Sequence, residues 1–475
     1  MSTHLSSTTP SIPVASIHLG QDSHFDAWLY SMLMDNNLAY SLNPHLIASQ
    51  EQLSFMVHLD QDQVYLPCSD QVFSFLTQNK TPRPLQKAYN RAWRIVVRLI
   101  RQSSDDKDLR SRVFQFCRIR FKQYTADHTL IPSRLVKRMT DLVLKQSFSP
   151  LDDPWIARRR EESKQQERLL ASESIQKALD AVDPCSLSNS MQTIRQSLNG
   201  LELIRLFALT LLAGEWTEKA PLAETIQNAF KQAEEKAHTL LEHFSESGRR
   251  QATVLYLCDA DGGVFLDLAT IQALMRMGHR VIYAVKDSFF FFSPTMDDIK
   301  DDPTLERYIK KAQILDDKNL SKNALLKELR AHKFVIINDG TRERLNLYRV
   351  SVTFARAWKE ADVILAHGWR AKEILLGTSH EFTRDIICFW RDDEGFHIEK
   401  RNHAKTAFKF SEQCINDQAE SIIKTMKEAH REKRSVIFFS CIIGSIPGQT
   451  KQAIQLATAF VEHLRKKLDN VLIIN

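Results

Sequence analysis

Two kinds of apolar pattern divide the chain. Through residues 23 to 245 apolar positions recur at three and four, as on one face of a helix. Leu85 to Ile100, Leu135 to Gln146, Glu161 to Val182 and Met191 to Leu212 all carry it, punctuated by Pro132, Pro150, Pro154 and Pro184. A more polar helical stretch, Thr225 to Phe244, ends in Ser245-Glu-Ser-Gly248. Beyond it the pattern changes to short runs of consecutive apolar residues at 254–258, 281–285, 334–337, 363–366 and 385–390, with helical stretches between. Strands that alternate with helices predict a mainly parallel sheet. The expected fold class is therefore α/β: a three-layer, mainly parallel sheet with a helical N-terminal domain. The expected division is a disordered tail over 1–22, a helical domain over 23–248, an α/β core over 249–410 and an additional βα unit over 411–475.

That last unit reads as a helix (Ser411 to Lys433), a strand (Ser435 to Cys441), a helix (Gln449 to Lys467) and a strand (Val471 to Ile474). The turn Gly444-Ser-Ile-Pro-Gly-Gln-Thr450 either cradles an anion at a helix N-terminus or only joins strand to helix. It lacks the lysine of a phosphate loop, which is Gln449 here.

The segment Val254-Leu-Tyr-Leu-Cys-Asp-Ala-Asp-Gly-Gly-Val-Phe-Leu-Asp267 says most. An apolar run stops at two acids and two glycines. A helical pattern then runs from Val264 to near Gly278, and a second apolar run, Val281 to Val285, closes at Lys286. This is a βαβ unit with carboxylates where the first strand ends. In open α/β sheets ligands bind at that edge. Asp259 and Asp261 either face a cation there or belong to a turn that only reverses the chain.

Composition narrows the function. The chain has 475 residues, 43% hydrophobic and 26% charged, enough for two or three ordinary globular domains. No apolar run approaches the roughly 20 residues of a transmembrane helix. Met1 to Gly20 has no Lys or Arg and no apolar core, so it does not read as a secretory signal. Seven cysteines are scattered singly, which fits the cytoplasm or another reducing intracellular compartment and argues against a disulfide framework or structural zinc. Residues 81–150 hold 16 Lys/Arg and 5 Asp, a net of +11 in a chain of net +6, so the remainder is net acidic. Arg91, Arg94, Arg98 and Arg101 share one helix face, either a solvated face or a surface for an acidic partner. No RNA-binding aromatic motif or zinc finger supports nucleic acid.

Three segments together resemble one family, the metal-dependent damage-control phosphatases, whose acidic-residue-methyltransferase-like fold is also called domain of unknown function eighty-nine. Its first motif, Asp-Asn-Ala-Gly-Glu-x-x-x-Asp after a strand, is similar to 259–267. Its second, Val-Lys-Gly-x-Pro-x-x-Asn-Asp-x-Thr-x-x-Asp, is similar to Val285-Lys-Asp-Ser-Phe-Phe-Phe-Phe-Ser-Pro-Thr-Met-Asp-Asp298. Its third, Ala-Asp-x-x-x-Ala-Lys-Gly-x-x-x-x-Glu, is similar to Ala361-Asp-Val-Ile-Leu-Ala-His-Gly-Trp-Arg-Ala-Lys-Glu373. Ile336-Ile-Asn-Asp-Gly340 suits the intervening strand, and Asp153-Pro-Trp155 before a charged helix suits the helical part. The resemblance spans about 150 to 405.

The resemblance implies a divalent metal (Mg, Mn, Ni or Co) held by Asp, Asn and a second Asp, with a third-motif lysine at the substrate phosphate. On this chain the first ligand is Asp259, the Asn is Ala260 with Asp261 beside it, the second Asp is Ser293 or Pro294, and the lysine is His367. Gly262, Gly263, Thr295 and Gly368 fall at phosphate-binding positions, and Lys286 joins Asp259 and His367 as a candidate catalytic residue. Retained beside these are Asp267, Asp298 and Glu373. One certain carboxylate is too few for a hard cation that wants oxygen ligands in near-octahedral array. The expectation is the family fold with a degenerate metal site, holding a metal if active or none, and weak or altered hydrolysis of phosphate esters. Two alternatives stand beside it: a non-catalytic protein that uses the cleft for a phosphorylated ligand or protein partner, and a transferase with a nucleotide-containing donor. Phe289 to Phe292 replace polar residues of the motif and either line an apolar pocket or fill core.

Overall fold

A computed structural model describes residues 11–20, 22–38, 50–60, 63–127, 129–147, 153–180, 191–212, 223–237, 251–258, 263–317, 320–405, 412–440, 450–468 and 470–474. It divides into two compact units, Met1–Ala404 and Lys405–Asn475. No described helix is long and apolar enough to cross a membrane.

The strands are β1 (Val57–His58), β2 (Thr253–Leu257), β3 (Arg280–Val285), β4 (Gln313–Leu315), β5 (Phe334–Asn338), β6 (Val363–His367), β7 (Glu381–Phe382), β8 (Asp385–Asp392), β9 (Gly395–Arg401), β10 (Ser435–Phe438) and β11 (Val471–Ile474). Seven of them form one sheet in the order β4-β5-β3-β2-β6-β8-β9. All neighbours are parallel except the β8–β9 hairpin. β1 and β7 make a small antiparallel pair. The five apolar runs of the core thus become β2, β3, β5, β6 and β8, each within two residues of its expected end. They were legible because a parallel strand covered on both faces is apolar at every position.

Alternate residues of these strands enter two different cores. Val254, Tyr256, Tyr283, Val285, Ile336 and Leu365 pack with helices Glu173–Asp180, Met191–Leu212, Ala223–Lys236 and Val264–Arg276. Leu255, Leu257, Ala284, Ile337, Ile364 and Ala366 pack on the other side with helices Lys322–Ala331 and Val352–Glu360. This is the period of two that a pleated strand imposes, and it decides below which residues share the cleft.

A third core gathers the N-terminal helices Ser23–Asp35, Asp70–Leu76, Arg83–Gln102, Lys107–Tyr124 and Pro132–Ser147. Trp155 and Phe289 join it, and Phe291 and Phe292 pack against it. From residue 11 the expected disordered tail is docked onto the protein. Val14 is fully buried, and the Val14 and Ala15 N–H groups donate to Asp70 Oδ1 (3.1 Å) and Ser379 Oγ (2.9 Å). The expected helix from Glu161 to Val182 is two helices, Ile156–Leu170 and Glu173–Asp180. The break at Ala171-Ser172 is closed by the Ser172 hydroxyl, which donates to Leu169 O (2.6 Å), a local bond that competes with helix continuation.

In the smaller unit β10 and β11 pair in parallel; in sequence helix Glu412–Arg431 precedes β10 and helix Thr450–Lys467 lies between β10 and β11. The turn from Gly444 to Gln449 lies outside the described residues.

Candidate functional site: a cleft at the carboxyl edge of the sheet

The chain leaves β2 toward β3 and leaves β6 toward β8, on opposite sides of the β2–β6 pair. Such a reversal opens a crevice outside the strand ends. A cleft lies along this edge, with about 510 Å³ of atom-free space that includes its open mouth. Leu257, Cys258, Lys286, Asp339 and Ser293 line it from the strand exits, with Arg344 and Arg370 among its other walls.

Lys286 follows β3 and Asp339 follows β5, on the same side of the sheet by the alternation above. Lys286 Nζ donates to Asp339 Oδ2 (2.5 Å) and Thr341 Oγ1 (3.1 Å). Both members of the pair are buried. Burial works against the Lys286 charge, but Asp339 together with nearby Cys258 and Glu343 outweighs it, so the ammonium loses its proton only above the ordinary lysine range. Asp339 Oδ1 also accepts the Thr341 N–H (2.8 Å). Between them Gly340 has φ 76°, and a Cβ there would sit 2.7 Å from Ser351 Cβ, so only glycine fits.

The loop after Lys286 carries the four phenylalanines. Phe289 and Phe290 are buried, while Phe291 and Phe292 are half-buried. Sequence left core and pocket open, and the structure supports both uses. Phe290 to Phe292 line a second cavity, with Trp155 and Arg98, and it shares Phe290, Arg344 and Arg370 with the first. Phe291 is left-handed, φ 53°, a costly conformation for a bulky side chain. Arg159 fixes it. Its guanidinium donates to Phe291 O (3.0 Å), to Asp153 Oδ2 (2.5 Å) and, through Nε, to Asp298 Oδ2 (2.7 Å). The Asp153-Pro-Trp155 segment and the retained Asp298 therefore meet in one buried hub. Thr295 and Asp298 form a reciprocal capping box on helix Met296–Asp301.

His367 goes to the opposite face. It ends β6 beside Ala366, so the pleat turns it away from the Lys286 side. Its Nε2 lies 3.0 Å from Asp267 Oδ1, and its ring is 5.8 Å from Tyr256 and 5.4 Å from Phe389. Asp267 is fully buried and accepts the hydroxyls of Tyr256 (2.9 Å) and Tyr283 (2.8 Å). Burial, then the Asp267 charge, pushes both tyrosines well above their usual range, so they remain donors. This network lies within the packed core.

The structure thus brings Lys286 and Ser293 together in the cleft and does not bring His367 to them. Thr295 is engaged in helix capping. Gly263 (φ 99°) and Gly368 (φ 89°) stand immediately before helices Val264–Arg276 and Trp369–Leu375. Asp259, Ala260, Asp261 and Gly262 lie outside the described residues. Asp339, Arg344, Arg370 and Arg159 were missed as site residues. By sequence Ile336 to Gly340 suits a strand and glycine, and an acid directly after a buried strand is the signal available for Asp339. Arg91, Arg94, Arg98 and Arg101 are all exposed on helix Arg83–Gln102, and Arg98 lines the second cavity.

A divalent cation does not suit the described lining. Its one carboxylate, Asp339, is held by an ammonium, and Arg344 and Arg370 stand nearby. Ser293, which with Pro294 is one of the two positions that the sequence resemblance gives to a second aspartate, also lines the cleft. Its hydroxyl is buried and has no hydrogen-bond partner among the described residues. Asp392, Glu394 and His397, at the β8–β9 hairpin, bring ligand atoms within 4.8 Å of one another, but none of the three lines the cleft.

An open α/β sheet with a cationic cleft at its carboxyl edge is the class that fold and site define. Among solved structures the chain is similar to a DUF89 family protein from Pyrococcus horikoshii, at 17% identity over 64% of this chain and 90% of that one, with a TM-score of 0.43. No protein-family model and no curated protein matches the chain.

Proposed function

We propose that the cleft binds a small phosphorylated molecule through protein cations, and that the chain is a divergent damage-control-phosphatase-like protein whose metal-assisted hydrolysis is weak or lost. One observation carries the reading: Asp339, the carboxylate of the described lining, is paired with Lys286, and the same lining includes Arg344 and Arg370. Fixed guanidinium groups suit phosphate oxygens because their donors match them in pairs. The Ser293 hydroxyl offers one more donor. In the family a metal neutralises charge that develops on the phosphate and orients the nucleophile. Here protein cations hold the phosphate but generate no nucleophile, which favours binding over turnover.

Calorimetry with inorganic phosphate and a sugar phosphate tests this. Binding is expected to persist in chelator and to weaken as salt rises. Turnover of a model phosphate ester that increases with Mg²⁺ or Mn²⁺ and vanishes in Asp259→Ala would overturn it. The double reversion Ala260→Asn with Ser293→Asp adds two oxygen donors. If the site descends from a metal site, the reverted protein should gain about 2.7 kcal/mol at a metal concentration a hundredfold above Kd. An intact fold with no metal response argues against that descent.

A further inference from the structure

We infer that the ligand of this cleft is a phosphate ester with a planar aromatic group, either an aryl phosphate or a nucleoside monophosphate. The inference rests on the proposed phosphate site and adds the body of the ligand. The two cavities adjoin, sharing Phe290, Arg344 and Arg370 as lining. Both linings are largely apolar, and they differ in the polar groups and rings that each adds. The strand-end cavity has Lys286, the Ser293 hydroxyl and Asp339. The second has no carboxylate in its lining, and Phe290, Phe291, Phe292 and Trp155 supply aromatic surface with Arg98 beside them. A sugar hydroxyl placed against these rings would lose its water for little return. A planar ring would keep dispersion contact and gain from the edge-to-face and stacked geometries that aromatic groups prefer.

The aromatic wall is also held in place. Phe292 stands edge-on to Trp155 at 4.5 Å between centroids, and the Arg158 guanidinium lies 4.6 Å from its ring. Phe291 keeps its left-handed backbone because Arg159 grips its carbonyl. Strain held by surrounding structure clusters at ligand sites. A fixed wall spends less of the binding energy on ordering. The phosphate would lie at Lys286, Arg344 and Arg370, with the ring against Phe290 to Phe292.

The test is calorimetry on the full chain, in chelator, with four probes: inorganic phosphate, glucose 6-phosphate, phenyl phosphate and adenosine 5′-monophosphate. At least one aromatic ester should bind roughly tenfold or more tighter than the first two, the scale of one ring stacked on an aromatic wall. Tight binding of the nucleotide alone assigns a nucleoside phosphate, and tight binding of phenyl phosphate as well shows that the aryl group suffices. In Phe292→Leu the ratio of aromatic to inorganic phosphate affinity should fall to within about twofold. Ile95→Trp, which fills the second cavity from its helical wall, should do the same if Phe292→Leu does not fold. Equal affinity for all four probes overturns the inference and leaves the phosphate site standing. No binding of any probe overturns both.

Discussion

Replacing Lys286 with methionine isolates the ion pair at the centre of the cleft. Methionine keeps most of the apolar stem, so the main loss is charge. Removing one partner of a buried pair costs about 3–5 kcal/mol, because the other charge stays buried and unpaired. Asp339 keeps the Thr341 N–H at 2.8 Å, which places the cost near the lower end, about 3 kcal/mol. The double variant Lys286→Met with Asp339→Asn removes both charges and keeps an acceptor for that N–H, so it should return to within about 1 kcal/mol of the wild type. The single variant should also depend on pH. Burial already pushes the Asp339 carboxyl up, and Lys286 is the strongest influence that pulls it back. Without the lysine the folded carboxyl titrates still further above its unfolded value of about 3.9. The penalty is then complete above the folded value and fades as pH falls toward 4, because the folded state takes up the proton first. Urea unfolding followed by tryptophan fluorescence reports this directly, since all seven tryptophans precede residue 405 and so belong to the larger unit. A loss under about 1 kcal/mol at pH 8, with no recovery in the double variant, would show the pair to be well solvated and would remove the basis for a cationic cleft.

Three further outcomes are expected. Burial, then the Arg401 charge, pushes His380 down to about 4, and its neutral Nε2 accepts the Leu66 N–H at 2.9 Å. Its folded pKa is depressed, so its contribution is full above the unfolded value of about 6.5 and is lost as pH falls to 4, about 3 kcal/mol in all. His380→Gln should flatten the stability–pH curve in that window, and an unchanged slope refutes the assignment. Gly340→Ala combines a φ of 76° with a Cβ 2.7 Å from Ser351, so it should lose about 2 kcal/mol or more, and an unaltered melting temperature would contradict this. Arg159→Lys keeps the charge but loses the fork that joins Asp153, Asp298 and Phe291. Faster amide exchange over Phe290 to Ser293 is expected, and unchanged protection would show that the hub does not hold the loop.

The core strands were readable because burial on both faces leaves no polar position to interrupt them. β9 was not, since Gly395-Phe-His-Ile-Glu-Lys-Arg401 alternates and faces a neighbour on one side only. β4 has three residues at the opposite edge, too few for any periodicity. At the site, motif order led to Lys286 and Ser293, which the structure brings into one cleft. It also suggested that His367 and Lys286 act together, because a motif records order along the chain and says nothing of which face a residue takes. Thr295 and Asp298 are spaced as a capping box, and Asp298 serves Arg159 as well, so part of the motif's pattern is explained by local structure. Arg344 and Arg370 belong to no repeat or spacing rule. Only the return of separate segments to the same sheet edge makes them neighbours.

The pleat at the strand ends has a consequence for how such a protein can change. Consecutive positions at one exit answer to different constraints: Lys286 and Asp339 face the cleft, whereas the neighbouring Val285 belongs to the core behind it, on the side of His367 and Asp267. Replacing Lys286 or Asp339 removes none of the hydrogen bonds of the buried tyrosine–aspartate network. Conversely, a one-residue slip in β6 would exchange Ala366 and His367 and disturb both faces at once. Substitution is therefore a permissive route to new ligand chemistry on this sheet, and insertion or deletion within its strands a restrictive one.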